Sequence, residues 1–218
     1  MGRDTLILLV SSVIAITLHE CSHGYVANFF GDPTAKNQGR LTLNPIAHID
    51  PFGTVALPLL LRLVGLPAIG FAKPVPVDIT KLRDIRNHSF LVSMAGPFTN
   101  IALCLLSIGI CRATGVTIDE LNWGDYGTWT EIAYFFGVFG LVNISLAIFN
   151  LFPIPPLDGS AIIERLLPRR HLGTYFRIRE KALPLVMILL LVNSLTLHLG
   201  SGLYSRTFEL FQQLAFSN

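Results

Sequence analysis

The sequence predicts an all-α membrane protein: a polytopic bundle of transmembrane helices with about 4–6 membrane segments. Its 218 residues are 51% hydrophobic and only 14% charged, and the mean hydropathy is +0.57. A soluble domain carries roughly 25% charged residues, so this chain has too few charges to cover a water-facing surface. Apolar runs of membrane-spanning length also recur along the chain, and basic residues gather between them. The net charge of +2 gives no reason to expect a nucleic-acid partner.

Four apolar segments have the roughly 17–25 residues that a spanning helix needs. They cover about residues 5–30, 89–111, 131–152 and 183–200. A cleaved signal peptide is an alternative for the first, but the apolar pattern resumes after it at GYVANFF, which favours an uncleaved helix. A fifth segment, 51–72, holds prolines, glycines and Arg62, and we expect it to be re-entrant or to enter and leave on one side.

We predict a single integral-membrane domain over 1–218, with a catalytic core at about 5–165 and C-terminal helices in 183–218. The tail after residue 203 has the pattern of an amphipathic helix on or beside the membrane. The three cysteines have no metal-site or redox spacing, so we expect no disulfide, and for Cys104 and Cys111 in their apolar segment we expect a packing role.

A small β element is predicted between the first two strong helices. The segments GRLTLNP (39–45) and AKPVPVDIT (72–80) alternate apolar and polar residues between glycines and prolines, as short strands do. We expect a β-hairpin or small sheet in which the prolines make 72–80 an edge strand. Such an edge, with GRLTL preferred, could pair with an unwound substrate segment.

Loop charges predict the orientation of the bundle. Residues 31–50 carry two Lys or Arg, 73–88 carry four and 159–181 carry six, whereas 113–130 carries three acidic residues and no Lys or Arg. By the positive-inside rule the first three regions face the cytoplasm of a prokaryotic plasma or inner membrane, and the fourth faces outside. The C-terminal ends of the first and third strong helices therefore meet at the cytoplasmic face.

The stretch HECSH, residues 19–23, places ionisable side chains within the first apolar helix. Positions i and i+4 share one helix face, so His19 and His23 can present their imidazoles to one ion. Zinc suits such ligands and lowers the pKa of its bound water, whose proton a carboxylate such as Glu20 can take. Ionisable residues in a spanning helix are costly and usually functional, which argues against a chance match.

The third ligand must come from elsewhere in the sequence. Asp158 in PIPPLDGS is a better candidate than the remaining histidines, which are His48, His88, His171 and His198. It follows a helix that ends on the same side as HECSH, although it could instead cap the next helix, SAIIERLL. His48 and Asp50 lie before the 51–72 segment. For them we expect a structural role in a turn, with a hydrogen bond to a zinc ligand as the alternative.

H-E-x-x-H followed by N-x-x-P-x-x-P-L-D-G at 150–159 resembles the site-2 protease family of intramembrane zinc metalloproteases. The segments GRLTLNPIAHIDPFG, FAKPVPV and AGPFTN are similar to parts of its compact prokaryotic members, so the resemblance covers about residues 10–165. It implies one Zn²⁺ per chain on His19, His23 and Asp158, and Glu20 as general base.

The resemblance also implies that Asn150 contacts substrate or the developing oxyanion, although a polar helix residue that bonds a neighbour would look the same. It implies transmembrane-protein substrates in a lipid bilayer, for a form without PDZ or CBS domains. The sequence leaves the oligomeric state open. Two alternatives remain: a membrane metal-binding carrier, which would need more ligands along the helices, and a catalytically silent homologue that binds helices.

Overall fold

The computed structural model describes residues 2–56, 60, 73–117, 127–168, 170–175, 177, 182 and 201–216. We number its α-helices in chain order. They are α1 (Arg3–Phe29), α2 (Thr34–Asn37), α3 (Ile85–Thr114), α4 (Thr128–Leu151), α5 (Ser160–Leu166) and α6 (Ser201–Phe216). Short 3-10 helices cover Pro45–His48 and Ile79–Lys81, and a π-helix covers Pro51–Ala56.

Three of the described helices are long and apolar enough to cross a membrane: α1 with 27 residues, α3 with 30 and α4 with 24. At about 1.5 Å per residue each exceeds the roughly 30 Å of a bilayer's hydrocarbon core. Helix α3 packs against both α1 and α4, and α1 also contacts α4. The all-helical class is therefore confirmed for these parts of the chain. The predicted span at 183–200 and most of the 51–72 segment lie outside the described residues.

The predicted β-hairpin is wrong, because the described residues contain no strand. Residues 40–44 and 73–78 are irregular, and no backbone hydrogen bond among the described residues joins the two segments. Several of their backbone groups bond to side chains instead. The carbonyl of Thr42 accepts from Cys21 and His48, at 2.9 Å each. In 73–78, Pro74 and Pro76 have no N–H to donate to a ladder, so the alternation of residue types did not produce strand pairing.

Sequence signals at both ends of α3 fix its limits. The Asp84 carboxylate accepts the N–H groups of Arg86 and Asn87, which caps the first turn. Those hydrogen bonds, with Asn87 contributing most, lower the pKa of this exposed carboxyl. At the other end Gly115 has φ 69°, the left-handed conformation that glycine adopts most easily. These two signals set the limits of α3 at Ile85 and Thr114.

The interior of the bundle divides into a polar part and an apolar part. The polar part holds Asn100 of α3 and Asn143 of α4, both 0% exposed. The apolar part is a cluster of α3, α4 and α6 residues, with one from the loop after α3: Cys104, Cys111, Val116, Ala133, Phe211, Ala215 and Phe216. The tail helix expected on or beside the membrane therefore packs one face against α3 and α4.

Candidate metal centre

Two imidazoles of α1 meet on the face that packs inside the bundle. His19 and His23 are one helical turn apart, their ring centroids are 4.8 Å apart, and they are 6% and 9% exposed. Buried polar side chains need partners, so the surroundings of these rings decide what they can bind.

Asp158 reaches both imidazoles from the turn that follows α4. Its Oδ2 lies 3.1 Å from Nε2 of His19 and 3.4 Å from Nε2 of His23. Ligand atoms about 2.0–2.1 Å from a tetrahedral zinc are about 3.3 Å apart, so these separations fit a zinc site. Within the described residues the ligand atoms of all three side chains lie within 4.8 Å of one another. Asp158 is not a helix cap, because the N-cap of α5 is Gly159 and no side chain caps that helix.

The turn that carries Asp158 is tied to the end of α4. The N–H of Gly159 donates to the carbonyl of Asn150 at 2.6 Å. A Cβ at Gly159 would collide with the carbonyl oxygen of Leu151, so only glycine lets the chain turn this close to α4. Prolines at 153, 155 and 156 prevent α4 from continuing into this segment.

The Asp158 carboxyl is ionised at neutral pH. Burial raises its pKa, but the hydrogen bonds with His19 and His23 outweigh burial and lower the pKa to about 2. A carboxylate held between two imidazoles supplies the oxygen and nitrogen ligands that zinc prefers.

The second nitrogen of each imidazole bonds to the protein. Nδ1 of His23 lies 2.7 Å from the carbonyl oxygen of Val92, and Nδ1 of His19 lies 2.5 Å from Oδ1 of Asn100. Oxygen partners at Nδ1 leave Nε2 of both rings directed at Asp158. Metal-binding histidines commonly have such a partner on the other nitrogen, because it fixes the orientation of the ring.

Gly96 of α3 forms the wall against which both rings pack. A Cβ built at Gly96 would lie 2.5 Å from Nε2 of His19 and 2.5 Å from Nε2 of His23. Any side chain there would displace the imidazoles, so the close approach of α3 to α1 requires glycine.

Glu20 lies beside the pair of imidazoles and is held by residues 73–78, which we call the strap. Its Oε2 accepts the N–H of Val75 at 2.9 Å. The strap is fixed at its two ends as well. Asp32 accepts the N–H of Asp78 at 2.7 Å, and Arg40 donates to the carbonyls at 73 and 74. Side chains from α1 and the loop after it therefore hold the strap next to the Glu20 carboxylate.

The other predicted residues, Asn150, His48 and Asp50, make contacts with other partners. The Asn150 side chain donates to the carbonyl of Leu146 in its own helix, at 3.0 Å. Nε2 of His48 bonds to the carbonyl of Thr42, and Cys21 lies 3.6 Å from the same nitrogen. Asp50 accepts the N–H groups at 52 and 53 and so closes a turn.

Sequence reasoning missed Gly96, Asn100 and Asn143. Gly96 and Asn100 lie in AGPFTN, which was noted only as a segment of family resemblance. Asn143 is an amide in the middle of an apolar helix. A polar side chain in a membrane-spanning helix is energetically costly and needs a buried partner. That cost could have identified Asn143 as a residue with a specific contact.

Comparisons with known proteins identify the family of the chain. The sequence model of Peptidase family M50 matches residues 114–193, which contain Asp158 but not the α1 histidines. A Bacillus subtilis protein named "Putative zinc metalloprotease YwhC" is 40% identical over 164 residues, covering 74% of this chain and 69% of the relative.

Two mycobacterial proteins, each named "Putative zinc metalloprotease Rip2", also match. That of Mycolicibacterium smegmatis is 31% identical over 73% of this chain and 56% of its own length. That of Mycobacterium tuberculosis is 28% identical over 84% of this chain and 66% of its own length. No solved structure matches the chain significantly. On the similarity to YwhC, the chain belongs to peptidase family M50, the site-2 protease family of membrane zinc metalloproteases.

Proposed function

We propose that the chain is an intramembrane zinc endopeptidase that cleaves membrane-protein substrates within or near their transmembrane segments. The observation that carries the proposal is the convergence of His19, His23 and Asp158. Oδ2 of Asp158 lies 3.1 and 3.4 Å from the Nε2 atoms of the two histidines, which are on a buried face of α1. A surface cluster of acidic groups would lack this burial and these Nδ1 partners.

His19 and His23 would hold one zinc ion through Nε2, and Asp158 would hold it through its carboxylate. When bound, zinc supplies Lewis acidity that polarises the scissile carbonyl and lowers the pKa of a coordinated water towards about 7. The chain provides the rest of the chemistry. The low pKa of Asp158 keeps its carboxylate charged, and Gly96 and the Nδ1 partners hold the two rings in place.

Glu20 is the proposed general base. It follows His19 directly, and the Val75 N–H holds its carboxylate beside the site. In the proposed reaction Glu20 accepts a proton from the attacking water and then gives it to the leaving amine of the cleaved peptide. We propose that Asn150 contacts the substrate, because it lies in the last turn of α4, and Asp158 lies in the turn that follows this helix.

The membrane setting follows from where the site lies. His19 and His23 are in the C-terminal half of α1, and the loop charges support an orientation with this half towards the cytoplasmic face. A substrate helix satisfies its own backbone hydrogen bonds, so a few of its residues must unwind before a peptide bond becomes accessible. We propose that one domain carries all these steps in a multi-pass protein of the prokaryotic cell membrane.

The decisive experiment compares the full chain with Glu20→Gln in detergent, using a model transmembrane substrate and zinc analysis of each protein. We expect one zinc per chain in both, and cleavage reduced by at least about 100-fold in the variant, since general acid–base catalysis contributes that much. Glu131→Gln is the matched control, because Glu131 is exposed at the start of α4 and pairs with Arg3.

Equal cleavage by the wild type and Glu20→Gln would overturn the mechanism. Zinc binding without cleavage by the wild type would favour the silent homologue. Zinc movement across vesicles without cleavage would favour the carrier.

A further inference from the structure

We infer that Asn143 and Asn100 form a hydrogen-bond relay that holds His19 in the ring orientation and tautomer needed to bind the metal. The inference rests on the proposed zinc site and adds two positioning residues to it. Neither asparagine touches the space between the three ligand atoms, so both would act through His19.

The relay starts at a backbone carbonyl of α4. Nδ2 of Asn143 lies 2.8 Å from the carbonyl oxygen of Phe139, one turn earlier in the same helix. A carbonyl oxygen only accepts hydrogen bonds, so the amide nitrogen of Asn143 must face it as donor. This choice turns Oδ1 of Asn143 towards α3.

The direction of this hydrogen bond fixes the direction of the next one, between α4 and α3. Oδ1 of Asn143 lies 2.7 Å from Nδ2 of Asn100, which donates to it. Oδ1 of Asn100 therefore faces α1 as an acceptor, 2.5 Å from Nδ1 of His19. His19 must donate through Nδ1, so its Nε2 is the nitrogen left to face Asp158.

Because the relay is buried, reversing the direction of its hydrogen bonds would be costly. Asn100 and Asn143 are both 0% exposed, so water cannot replace a lost partner. Reversing one amide would set two donors or two acceptors against each other, and an unsatisfied buried polar group costs about 1–3 kcal/mol.

The second imidazole shows the same arrangement by a shorter route. His23 bonds directly to the carbonyl of Val92 in α3, so one backbone acceptor fixes its ring. Nδ1 of His19 also faces an acceptor, but that acceptor is the Asn100 side chain. Its orientation is set through Asn143 by a backbone carbonyl of α4. The relay therefore links all three long helices to one metal ligand.

The test measures zinc dissociation constants by chelator competition on the full chain in detergent, together with the Tm of each zinc-free protein. For Asn100→Leu we expect the constant to rise about 10–100-fold, the usual effect of losing a partner of a ligating histidine. Asn100→Asp keeps an acceptor for Nδ1 of His19 but loses the donor to Asn143, so we expect a lower Tm with a zinc dissociation constant within about threefold of the wild type.

Two further variants separate positioning from packing. Asn143→Leu leaves Oδ1 of Asn100 available to His19 but removes the acceptor that orients the Asn100 amide. We expect the zinc dissociation constant to rise about 3–10-fold. Ser107→Ala is the control, because Ser107 is buried in α3 and donates within its own helix, to Leu103. It should leave zinc affinity unchanged.

Each outcome decides the inference. Unchanged zinc affinity in Asn100→Leu, or equal losses in Asn100→Asp and Asn100→Leu, would overturn it while leaving the zinc site standing. If Asn100→Leu does not fold, Asn143→Leu and Asn100→Asp give the same decision. A wild type that binds no zinc would overturn the proposed function itself.

Discussion

Gly96 shows how a residue without a side chain can control the shape of the proposed metal site. It lies where α3 passes His19 and His23, and both Nε2 atoms would be 2.5 Å from an added Cβ. We expect Gly96→Ala to displace the imidazoles and lower kcat/KM by about 100-fold, since misplacement by about 1 Å has that effect on catalysis. Zinc content and cleavage of a model substrate would measure it.

Gly109→Ala is the matched control for this variant. Gly109 lies in the same helix, and a Cβ there would meet nothing within 4 Å. The change should preserve activity and stabilise the helix by about 0.5–1 kcal/mol. If Gly96→Ala kept full activity and zinc, the close packing of α3 on the site would be refuted.

The sequence revealed the residues of the site unevenly. His19, Glu20 and His23 were visible because they lie in one helical turn with a recognisable spacing. Asn100 was not, because its function depends on the contact between α3 and α1, and no local pattern encodes that contact. A buried amide in a membrane helix indicates that it has a partner but not which one.

At the scale of elements, the long helices were predictable and the segments between them were not. Length and apolar composition are enough to specify α1, α3 and α4. The strap shared the alternation of a β-strand, yet Glu20 and Asp32 bind its N–H groups and Pro74 and Pro76 offer none. Side-chain partners replaced the ladder that the pattern predicted.

Helix α6 gives a test of packing between elements. Phe211 is 3% exposed and packs within the apolar cluster of α3 and α4. We expect Phe211→Ala to destabilise the protein by about 3–5 kcal/mol, the usual cost of such a truncation in a packed core. Thermal unfolding in detergent would show a lower Tm.

Leu210→Ala serves as the control, because Leu210 lies in the same helix and is 56% exposed. It should leave the Tm nearly unchanged. Equal effects of the two variants would mean that α6 does not dock through the Phe211 face.

At the scale of the whole molecule, the charge pattern predicts how the bundle lies in the membrane. Lys81 precedes α3 and Gly127 precedes α4, so the length of α3 separates them. In intact cells we expect an impermeant thiol reagent to label Gly127→Cys, and to label Lys81→Cys only after permeabilisation. The three native cysteines are buried, which keeps background labelling low.

The reverse labelling pattern would place the metal centre towards the outside and would contradict the proposed orientation. Labelling of both positions in intact cells would contradict a membrane-spanning α3. Neither result would bear on zinc binding, so orientation and chemistry are tested separately.

The strap also makes the Glu20 contact observable through isotope exchange. Pro74 and Pro76 carry no amide hydrogen, so all backbone deuterium taken up within 74–76 belongs to Val75. That one hydrogen is bonded to the Glu20 carboxylate. Its exchange rate therefore reports how often the strap separates from Glu20, the proposed general base, without any change to the sequence.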